Sequence, residues 1–244
     1  MGHGYDDVIC HRGDSGRCPE NTKLAFCQAV QSGAEGIELD VHLTRDGHVV
    51  VIHDERVDRT TNGKGYVKDM TLAQLRRLQI TGKGEAQSIL TLEEYFAIAA
   101  PAGIRTNIEL KTGWFAYPGL EEKVWAIVQA YRQENNVLFS SFHVQSLLRM
   151  KAVAPEAPCG LLSNDLLTNP EDVVQELGFQ AFHPWYLRVS LSLVRRLHAR
   201  GIAVNVYTPN SPGVLAWLIA LGVDSVITDY PRRALLLRKW LQPR

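Results

Sequence analysis

The stretch GIELDVH at residues 36–42 alternates apolar with polar side chains, and NIELK at residues 107–111 repeats the pattern. Successive side chains of a β-strand point to opposite faces. One face of each segment is therefore aliphatic and suited to packing against helices, whereas the other is polar and would point into a barrel. The polar face carries Glu38, Asp40, His42, Asn107, Glu109 and Lys111.

Short apolar segments typical of buried parallel strands recur along the whole chain. They span residues 8–11, 36–42, 106–111, 137–142, 159–163, 181–185, 203–208 and 225–229. Helical spacing predicts helices at residues 21–32, 120–134, 145–153, 171–177, 191–200 and 212–221. Strands that alternate with helices pair in parallel through right-handed crossovers, and eight such units close a barrel. We therefore predict an α/β fold, a (β/α)8 TIM-type barrel, built as a single domain over residues 1–244.

A further apolar segment at residues 49–54 does not fit the count of eight. The Asp46-Gly47 pair directly before it is a strong tight-turn signal, which predicts a strand that returns antiparallel to residues 36–42. Such a hairpin would bring His53 beside Glu38 and Asp40.

Residues 55–100 form an insertion longer than a barrel loop requires. Two short helices are predicted within it, at residues 71–78 and 91–100, with Thr71 and Thr91 as N-caps. An insertion of this length near a barrel mouth is typical of a lid or a substrate-recognition element.

Charge and composition exclude several classes of partner. Lys plus Arg and Asp plus Glu both number 26, so no global field favours nucleic acid or an anionic membrane. We expect no nucleic-acid partner and no stable membrane insertion, since no stretch approaches the ~20 apolar residues that cross a bilayer.

The first residues carry no basic segment followed by an apolar run, and the four cysteines have unrelated spacings, which predicts a cytoplasmic protein with reduced thiols. Cations in 232–244 are spaced like the solvated face of a terminal helix.

Three carboxylates inside a barrel require compensation, because buried anions must be paired or must bind a cation. Glu38, Asp40 and Glu109 offer only oxygen ligands, which favours Mg²⁺ or Ca²⁺ over zinc. Internal salt bridges, for example of Glu109 with Lys111 or Arg12, are the alternative that spacing alone leaves open.

Two histidines end strands that lead to the barrel mouth, where such folds place their chemistry. His11 ends the first strand and His53 ends the hairpin arm. Two imidazoles that titrate near neutrality can share proton removal and proton donation, although either one alone would more often be a structural residue. Arg12 and Lys111 add fixed positive charge that suits a phosphate.

Phe142 and Tyr207 end two late strands and are candidates for contact with the organic part of a substrate, with core packing as the alternative. Carboxylates, a metal, two histidines and two cations at one mouth are the combination expected for phosphoryl-ester hydrolysis. A metal-assisted lyase that acts through an enolate would use similar residues on this fold.

Several motifs resemble the glycerophosphodiester phosphodiesterase family, in the family's order along essentially the whole chain. They are His11-Arg12-Gly13, Pro19-Glu20-Asn21-Thr22, residues 36–41, residues 44–47, Ile52-His53-Asp54, residues 58–63, residues 108–111, residues 140–142 and residues 227–231. The chain is similar to the short, cytosolic bacterial type. It departs from the family at Tyr207, where Trp is frequent, and at Leu90, where Pro is expected.

The resemblance implies metal-dependent hydrolysis of glycerophosphodiesters to sn-glycerol 3-phosphate and an alcohol. It further implies a route in which a neighbouring glycerol hydroxyl attacks phosphorus and water then opens a cyclic phosphate. The implied roles are His11 and His53 as the acid and base pair, Glu38, Asp40 and Glu109 as metal ligands, and Arg12 and Lys111 as phosphate contacts. Lysophospholipid substrates, and a silent barrel that only binds phosphoesters, stay open as alternatives.

Overall fold

The computed structural model describes residues 7–82 and 85–241. Its strands are β1 (Asp7–His11), β2 (Gly36–Leu43), β3 (Val49–Val51), β4 (Leu90–Thr91), β5 (Arg105–Leu110), β6 (Val137–Ser141), β7 (Cys159–Ser163), β8 (Ala181–Pro184), β9 (Ala203–Tyr207) and β10 (Ser225–Thr228). All of these except β3 and β4 pair in parallel, and β1 pairs with both β2 and β10, which closes the barrel. The predicted eight-stranded barrel is confirmed.

Helices connect the barrel strands, with one short helix in the insertion and one after the last strand. They are α1 (Lys23–Ser32), α2 (Leu72–Leu75), α3 (Leu92–Ala102), α4 (Leu120–Ala130), α5 (Val144–Val153), α6 (Pro170–Glu176), α7 (Leu191–Ala199), α8 (Pro212–Leu221) and α9 (Pro231–Leu241). Side chains of Thr22, Thr91, Ser190 and Ser211 accept hydrogen bonds from first-turn amides and so satisfy otherwise unpaired donors. Thr71 caps α2 in the same way, so both predicted threonine caps are confirmed.

The alternation along β2 places its two faces as predicted. Ile37, Leu39 and Val41 are fully buried in the core between barrel and helices. Glu38 and Asp40, on the opposite face, therefore point into the barrel.

The hairpin is also confirmed. β3 runs antiparallel to β2, with Val51 opposite Val41, and Gly47 adopts the positive φ of 82° that the turn requires. The Ile52 amide donates to the Asp40 carbonyl at 3.1 Å. His53 follows directly and is thus held next to the acidic strand.

The insertion is shorter than predicted. Helix α3 packs against α1 and contributes Tyr95 and Phe96 to the main core, so it is the crossover helix between β2 and β5. The helix expected at 71–78 is a single turn, α2. What remains of the insertion has a small core of its own, formed by Val50, Ile52, Val57, Val67, Leu75, Ile80 and Ile89.

Two predictions about the termini fall partly outside the described residues. The prediction about a signal peptide concerns the segment that starts with residues 1–6, and the basic run ends in residues 242–244; neither of these stretches is described. The rest of that run lies on α9, as predicted for a terminal helix. Within 7–82 and 85–241, no helix has the length and apolar content needed to cross a bilayer.

Candidate active site

Three carboxylates meet where β2 and β5 approach the mouth of the barrel. The register sets Asp40 opposite Glu109, and Glu38 lies two residues before Asp40 on the same face. One carboxylate oxygen of each residue lies within 4.8 Å of the others, and all three residues are buried. The three predicted metal-ligating residues are therefore brought together.

Two cations compensate these carboxylates in part. Lys111 Nζ lies 2.9 Å from Glu109 Oε1 and 3.8 Å from Asp40 Oδ1, and Arg12 Nε lies 3.3 Å from Asp40 Oδ2. The Glu109–Lys111 salt bridge foreseen as an alternative is thus present. Within the described chain, Glu38 has only the His11 imidazole, at 3.9 Å, as an ion-pair partner. Two cations consequently face three carboxylates.

This imbalance displaces the pKa values of the cluster. Burial raises the pKa of Glu38 well above its usual value, and the charges of Asp40 and Glu109 raise it further. Burial also raises the pKa of Glu109. Burial acts in the same direction on Asp40, but Arg12 and other nearby positive groups hold the pKa of that carboxyl below its usual value. One more positive charge would complete the compensation.

The donor set fits a hard divalent cation. Asp40 Oδ1 is buried and accepts no hydrogen bond, while Asp40 Oδ2 accepts one from the Asn21 side chain at 2.9 Å. A buried carboxylate oxygen that accepts no hydrogen bond costs free energy, which a ligated cation would offset. Because the cluster offers carboxylate oxygens alone, its residues fit Mg²⁺ or Ca²⁺.

The loop from β1 to α1 shapes this side of the site. Arg12 and Asn21 both adopt left-handed φ values, 53° and 56°, and the Asn21 amide donates to the Arg12 carbonyl. A Cβ at Gly13 would lie 2.7 Å from Ala25, so this position requires glycine. Thr22 caps α1, which leaves the Asn21 side chain to hold Asp40.

His11 is held by a carboxylate from the far end of the chain. Its Nδ1 lies 2.6 Å from Asp229 Oδ1, directly after β10. Ser15 and Asn210 donate to the same carboxylate at 3.0 and 2.6 Å. Because a carboxylate accepts, His11 Nδ1 carries the proton and Nε2 is turned toward Glu38.

His53 is held by a different network. Its Nδ1 lies 2.6 Å from Asp54 Oδ1, and Arg59 donates to both oxygens of Asp54 at 2.7 and 2.9 Å. Arg59 also donates to Glu20, which accepts in turn from Arg12 at 3.0 Å. At the other ring nitrogen, Lys111 Nζ lies 3.1 Å from Nε2. An ammonium can only donate, so Nε2 of His53 is unprotonated in this arrangement.

A cavity of about 290 Å³ opens over these groups. It is lined by His11, Arg12, Glu38, His53, Asn107, Glu109, Ser140, Phe142, Leu162, Asn164, Trp185, Tyr207, Thr208 and Ile227. Phe142 and Tyr207 touch edge to face with ring centroids 5.8 Å apart, and the Tyr207 hydroxyl donates to Asn164 at 2.8 Å. Both predicted substrate contacts therefore line the cavity.

Sequence reasoning assigned no role to several residues of the site. Asp229, Asp54, Arg59 and Trp185 belong to it through the contacts above. Asp229 and Trp185 end predicted strands, so the rule that selected His11 was sufficient to select them too. Asp54 and Arg59 do not end a predicted barrel strand, and the sequence singles them out only as members of motifs that resemble the family.

Known proteins are similar to this chain over most of its length. Residues 11–233 match the model of the Glycerophosphoryl diester phosphodiesterase family. A glycerophosphodiester phosphodiesterase of Caldanaerobacter subterraneus subsp. tengcongensis is 42% identical, over 95% of this chain and 98% of that protein, and one of Bacillus altitudinis is 38% identical over the same shares. The structure of an Oleispira antarctica phosphodiesterase, in complex with its product sn-glycerol-3-phosphate, is 29% identical with a TM-score of 0.85, over 96% of both chains. The chain belongs to the glycerophosphoryl diester phosphodiesterase family.

Proposed function

We propose that the protein hydrolyses glycerophosphodiesters to sn-glycerol 3-phosphate and an alcohol, with Mg²⁺ or Ca²⁺ held by Glu38, Asp40 and Glu109. One observation carries this proposal: a carboxylate cluster short of positive charge and two histidines with oriented rings share one cavity. The product bound to the Oleispira antarctica protein supports the substrate class.

Phosphate binds between the two fixed cations. Arg12 lines the cavity, and Lys111 lies beside two residues that line it, Glu109 and His53. Both donate to phosphate oxygens, whose negative charge grows during reaction. The divalent cation supplies further charge neutralisation of the phosphate when it is bound. Phe142 and Tyr207 contact the organic part of the substrate from the opposite wall.

His53 acts as the base of the first step. Burial lowers the pKa of His53, and the neighbouring Arg12 and Lys111 lower it further against the opposing effect of Asp40. Its Nε2 is therefore free of a proton near neutral pH and takes one from the glycerol 2-hydroxyl. That oxygen forms a bond to phosphorus while the bond from phosphorus to the head-group oxygen breaks.

His11 acts as the acid of the same step. Its ring lies between Asp229, which is held at Nδ1, and Glu38, and it donates the Nε2 proton to the departing head-group oxygen. The second step reverses both transfers: His11 takes a proton from water, which attacks the cyclic phosphate, and His53 returns its proton to the glycerol 2-oxygen. One water is consumed overall.

The test is direct. Purified protein is treated with EDTA, and then Mg²⁺ or Ca²⁺ is titrated back in the presence of glycerophosphocholine, with sn-glycerol 3-phosphate measured over time. We expect product only with added metal. Absence of product with either cation, from correctly folded protein, would contradict the proposed function.

A charge-removing variant separates metal binding from turnover. Glu38→Gln should weaken the metal affinity measured by isothermal titration calorimetry by about 10-fold or more, because one of three anionic ligands is lost. Glu122→Gln, at an exposed position on α4, is the matched control and should bind metal as the parent does. Equal affinity in Glu38→Gln and the parent would place the metal elsewhere.

A further inference from the structure

The inward face of β2 carries a third polar residue beyond its two carboxylates. His42 follows Glu38 and Asp40 at the same two-residue spacing and is fully buried. Its Nε2 lies 3.1 Å from the carbonyl oxygen of His53, and its Nδ1 lies 3.1 Å from the hydroxyl of Tyr117. The His42 ring therefore connects the backbone of one proposed catalytic histidine with the loop that follows β5.

These two contacts fix the tautomer of His42. A carbonyl oxygen can only accept, so Nε2 of His42 carries the ring proton and donates to His53. Nδ1 of the neutral ring then has a lone pair, which accepts the proton of the Tyr117 hydroxyl. The tautomer is the opposite of the one held in His53, whose protonated nitrogen is Nδ1. The two rings are therefore distinguishable by which nitrogen carries the proton.

The His53 carbonyl lies where the backbone pairing of the hairpin ends. The ladder between β2 and β3 closes with the Ile52 amide, which donates to the Asp40 carbonyl, and the chain bends at residues 53–55. Backbone carbonyls that leave a ladder are paired elsewhere in folded proteins. Among the described residues, the His42 imidazole is the hydrogen-bond donor to the His53 carbonyl. A side chain of β2 thus replaces the backbone bond that the hairpin no longer provides.

The contacts of the His53 ring do not replace this backbone contact. Asp54 lies at Nδ1 and Lys111 at Nε2, so these two residues set the rotation of the ring. The place from which the ring extends depends on the backbone of His53, which His42 holds. A group that transfers a proton must lie within hydrogen-bonding distance of its substrate, and a displacement of about 1 Å is enough to slow the reaction.

Tyr117 is itself fixed in the position from which it donates. It is only 6% exposed, and its ring packs edge to face against His42 and Phe115, with centroids 5.5 and 6.2 Å away. Its φ of 41° is left-handed, a conformation that a bulky residue adopts only where its surroundings require it. Phe115 packs edge to face in turn against Tyr66 of the insertion. The Tyr117 hydroxyl therefore has a defined position relative to the His42 ring.

We propose that His42 and Tyr117 are positioning residues for the catalytic base: Tyr117 fixes the tautomer of His42, and His42 holds the backbone of His53. This inference rests on the proposed function and adds to it two residues that do not line the cavity. The loop after β5 then acts on the base in two ways, through Lys111 at the ring and through Tyr117 at His42. Loss of either positioning residue should lower kcat and leave KM unchanged.

A set of variants tests this pair on glycerophosphocholine. His42→Leu removes both hydrogen bonds, His42→Gln keeps a side-chain N–H at about the reach of Nε2, and Tyr117→Phe removes the hydroxyl alone. The double variant of His42→Leu with Tyr117→Phe completes a mutant cycle. Tyr95→Phe is the matched control, because it also loses a hydrogen-bonded hydroxyl, 2.8 Å from Thr106, at a fully buried position of the main core.

We expect His42→Leu to lower kcat by about 10- to 100-fold, the range typical of partners that orient a functional side chain. His42→Gln should recover most of this loss. Tyr117→Phe should lower kcat by about threefold to tenfold, the equivalent of one neutral hydrogen bond. Because Tyr117 acts through His42, its loss should have no further effect in the His42→Leu background. KM, the metal affinity measured by isothermal titration calorimetry, and kcat of Tyr95→Phe should match the parent.

Proton–nitrogen NMR correlation spectra of the histidine rings give a readout that a loss of stability alone does not change. The parent should show His42 with its proton on Nε2. In Tyr117→Phe, His42 should lose this single tautomer and the signals of His53 should shift. In Tyr95→Phe both rings should stay as in the parent. This readout does not depend on turnover.

Several outcomes would overturn the inference. Parent kcat in folded His42→Leu would show that the contact to the His53 carbonyl does not position the base. Additive losses in the double variant would separate Tyr117 from His42. An unchanged kcat in Tyr117→Phe, with the His42 tautomer altered, would overturn the inference even if His42→Leu does not fold.

Failure of the proposed function is distinguishable from failure of this inference. If the parent converts no glycerophosphocholine with either cation, the proposed function is wrong. The tautomer of His42, and the response of the His53 signals to Tyr117→Phe, then still decide whether the pair holds His53. A proton on Nδ1 of His42 in the parent would contradict the inference whatever the turnover.

Discussion

The two histidines of the site have the same local geometry and opposite surroundings. Each has a carboxylate 2.6 Å from its Nδ1 and turns its Nε2 to the cavity. At Nε2, however, His53 meets the ammonium of Lys111, whereas His11 meets the carboxylate of Glu38. The Lys111 ammonium disfavours an added proton on Nε2 of His53.

This difference underlies the proposed division of roles between the two imidazoles. Their carboxylate partners fix the same tautomer in both rings, so the tautomer does not distinguish them. The group that faces Nε2 does, and on this ground we propose His53 as the base and His11 as the acid of the first step. Substitutions at and around the two rings test this proposal.

The largest effects are expected from removal of either imidazole. His11→Ala and His53→Ala should each lower kcat on glycerophosphocholine by about 10²- to 10⁴-fold. A 4-nitrophenyl ester of glycerol phosphate separates the two, because its leaving group departs without a proton. In the first turnover, His11→Ala should release 4-nitrophenol at close to the parent rate, whereas His53→Ala should not.

The control for both variants is His48→Ala. His48 lies on the hairpin turn, half-exposed and 4.0 Å from Asp46, and its loss should leave kcat unchanged. Recovery of His53→Ala rather than His11→Ala on the activated ester would reverse the assignment of acid and base.

A smaller loss is expected when the orienting carboxylates are replaced. Asp229→Asn should lower kcat by about 100-fold and Asp54→Asn by about 10-fold, with little change in KM, the range typical of partners that orient a functional side chain. The difference arises because His53 keeps Lys111 at its other nitrogen, whereas His11 has Asp229 alone within hydrogen-bonding distance among the described residues. Steady-state kinetics measure kcat and KM of both variants. Asp58→Asn is the control, because Asp58 pairs with Arg56 in the parent. A larger loss of kcat in Asp54→Asn than in Asp229→Asn would mean that Lys111 does not hold the His53 ring.

Much of this arrangement was predictable from alternation and turn chemistry. The alternation of side chains in residues 36–42 and 107–111 identified which carboxylates point inward. The tight-turn signal at Asp46-Gly47 predicted the hairpin that places His53 beside them. Both signals are local, so a single sequence contains them. The same local reasoning misassigned α3, because the hairpin interrupts the alternation of strand and helix and makes a crossover helix look like part of an insertion.

Contacts between distant segments were not predictable in the same way. His11 and Asp229 are 218 residues apart, and only closure of the barrel between β1 and β10 brings them together. Asn21 meets Asp40 because its backbone takes a left-handed conformation. Asparagine favours that conformation, but the preference does not specify which distant side chain Asn21 will contact. The group that faces each Nε2, Lys111 for His53 and Glu38 for His11, depends on such contacts as well.

A still smaller effect is expected at Arg59. This half-exposed side chain contacts His53 only through Asp54, so Arg59→Ala should lower kcat about threefold, in line with the modest energies of solvent-exposed ion pairs. The difference from the parent should shrink at high ionic strength, where the pairs are screened. Arg56→Ala, equally exposed and paired with Asp58, is the matched control and should have no effect. A loss above about 100-fold would make Arg59 a substrate contact.

The finest test of the comparison is the titration of His53 itself. Burial lowers the pKa of His53 below its usual value, and Lys111 lowers it further, so histidine NMR signals of the metal-free protein should place its midpoint below that of an unstructured histidine. A depressed folded-state pKa means that the unfolded chain takes up the proton first. The contribution of neutral His53 to stability is therefore complete above the unfolded value of about 6.5 and is lost as the pH falls toward the folded value. Lys111→Met should move the midpoint upward, and an unmoved midpoint would show that the ammonium does not set the protonation of the base.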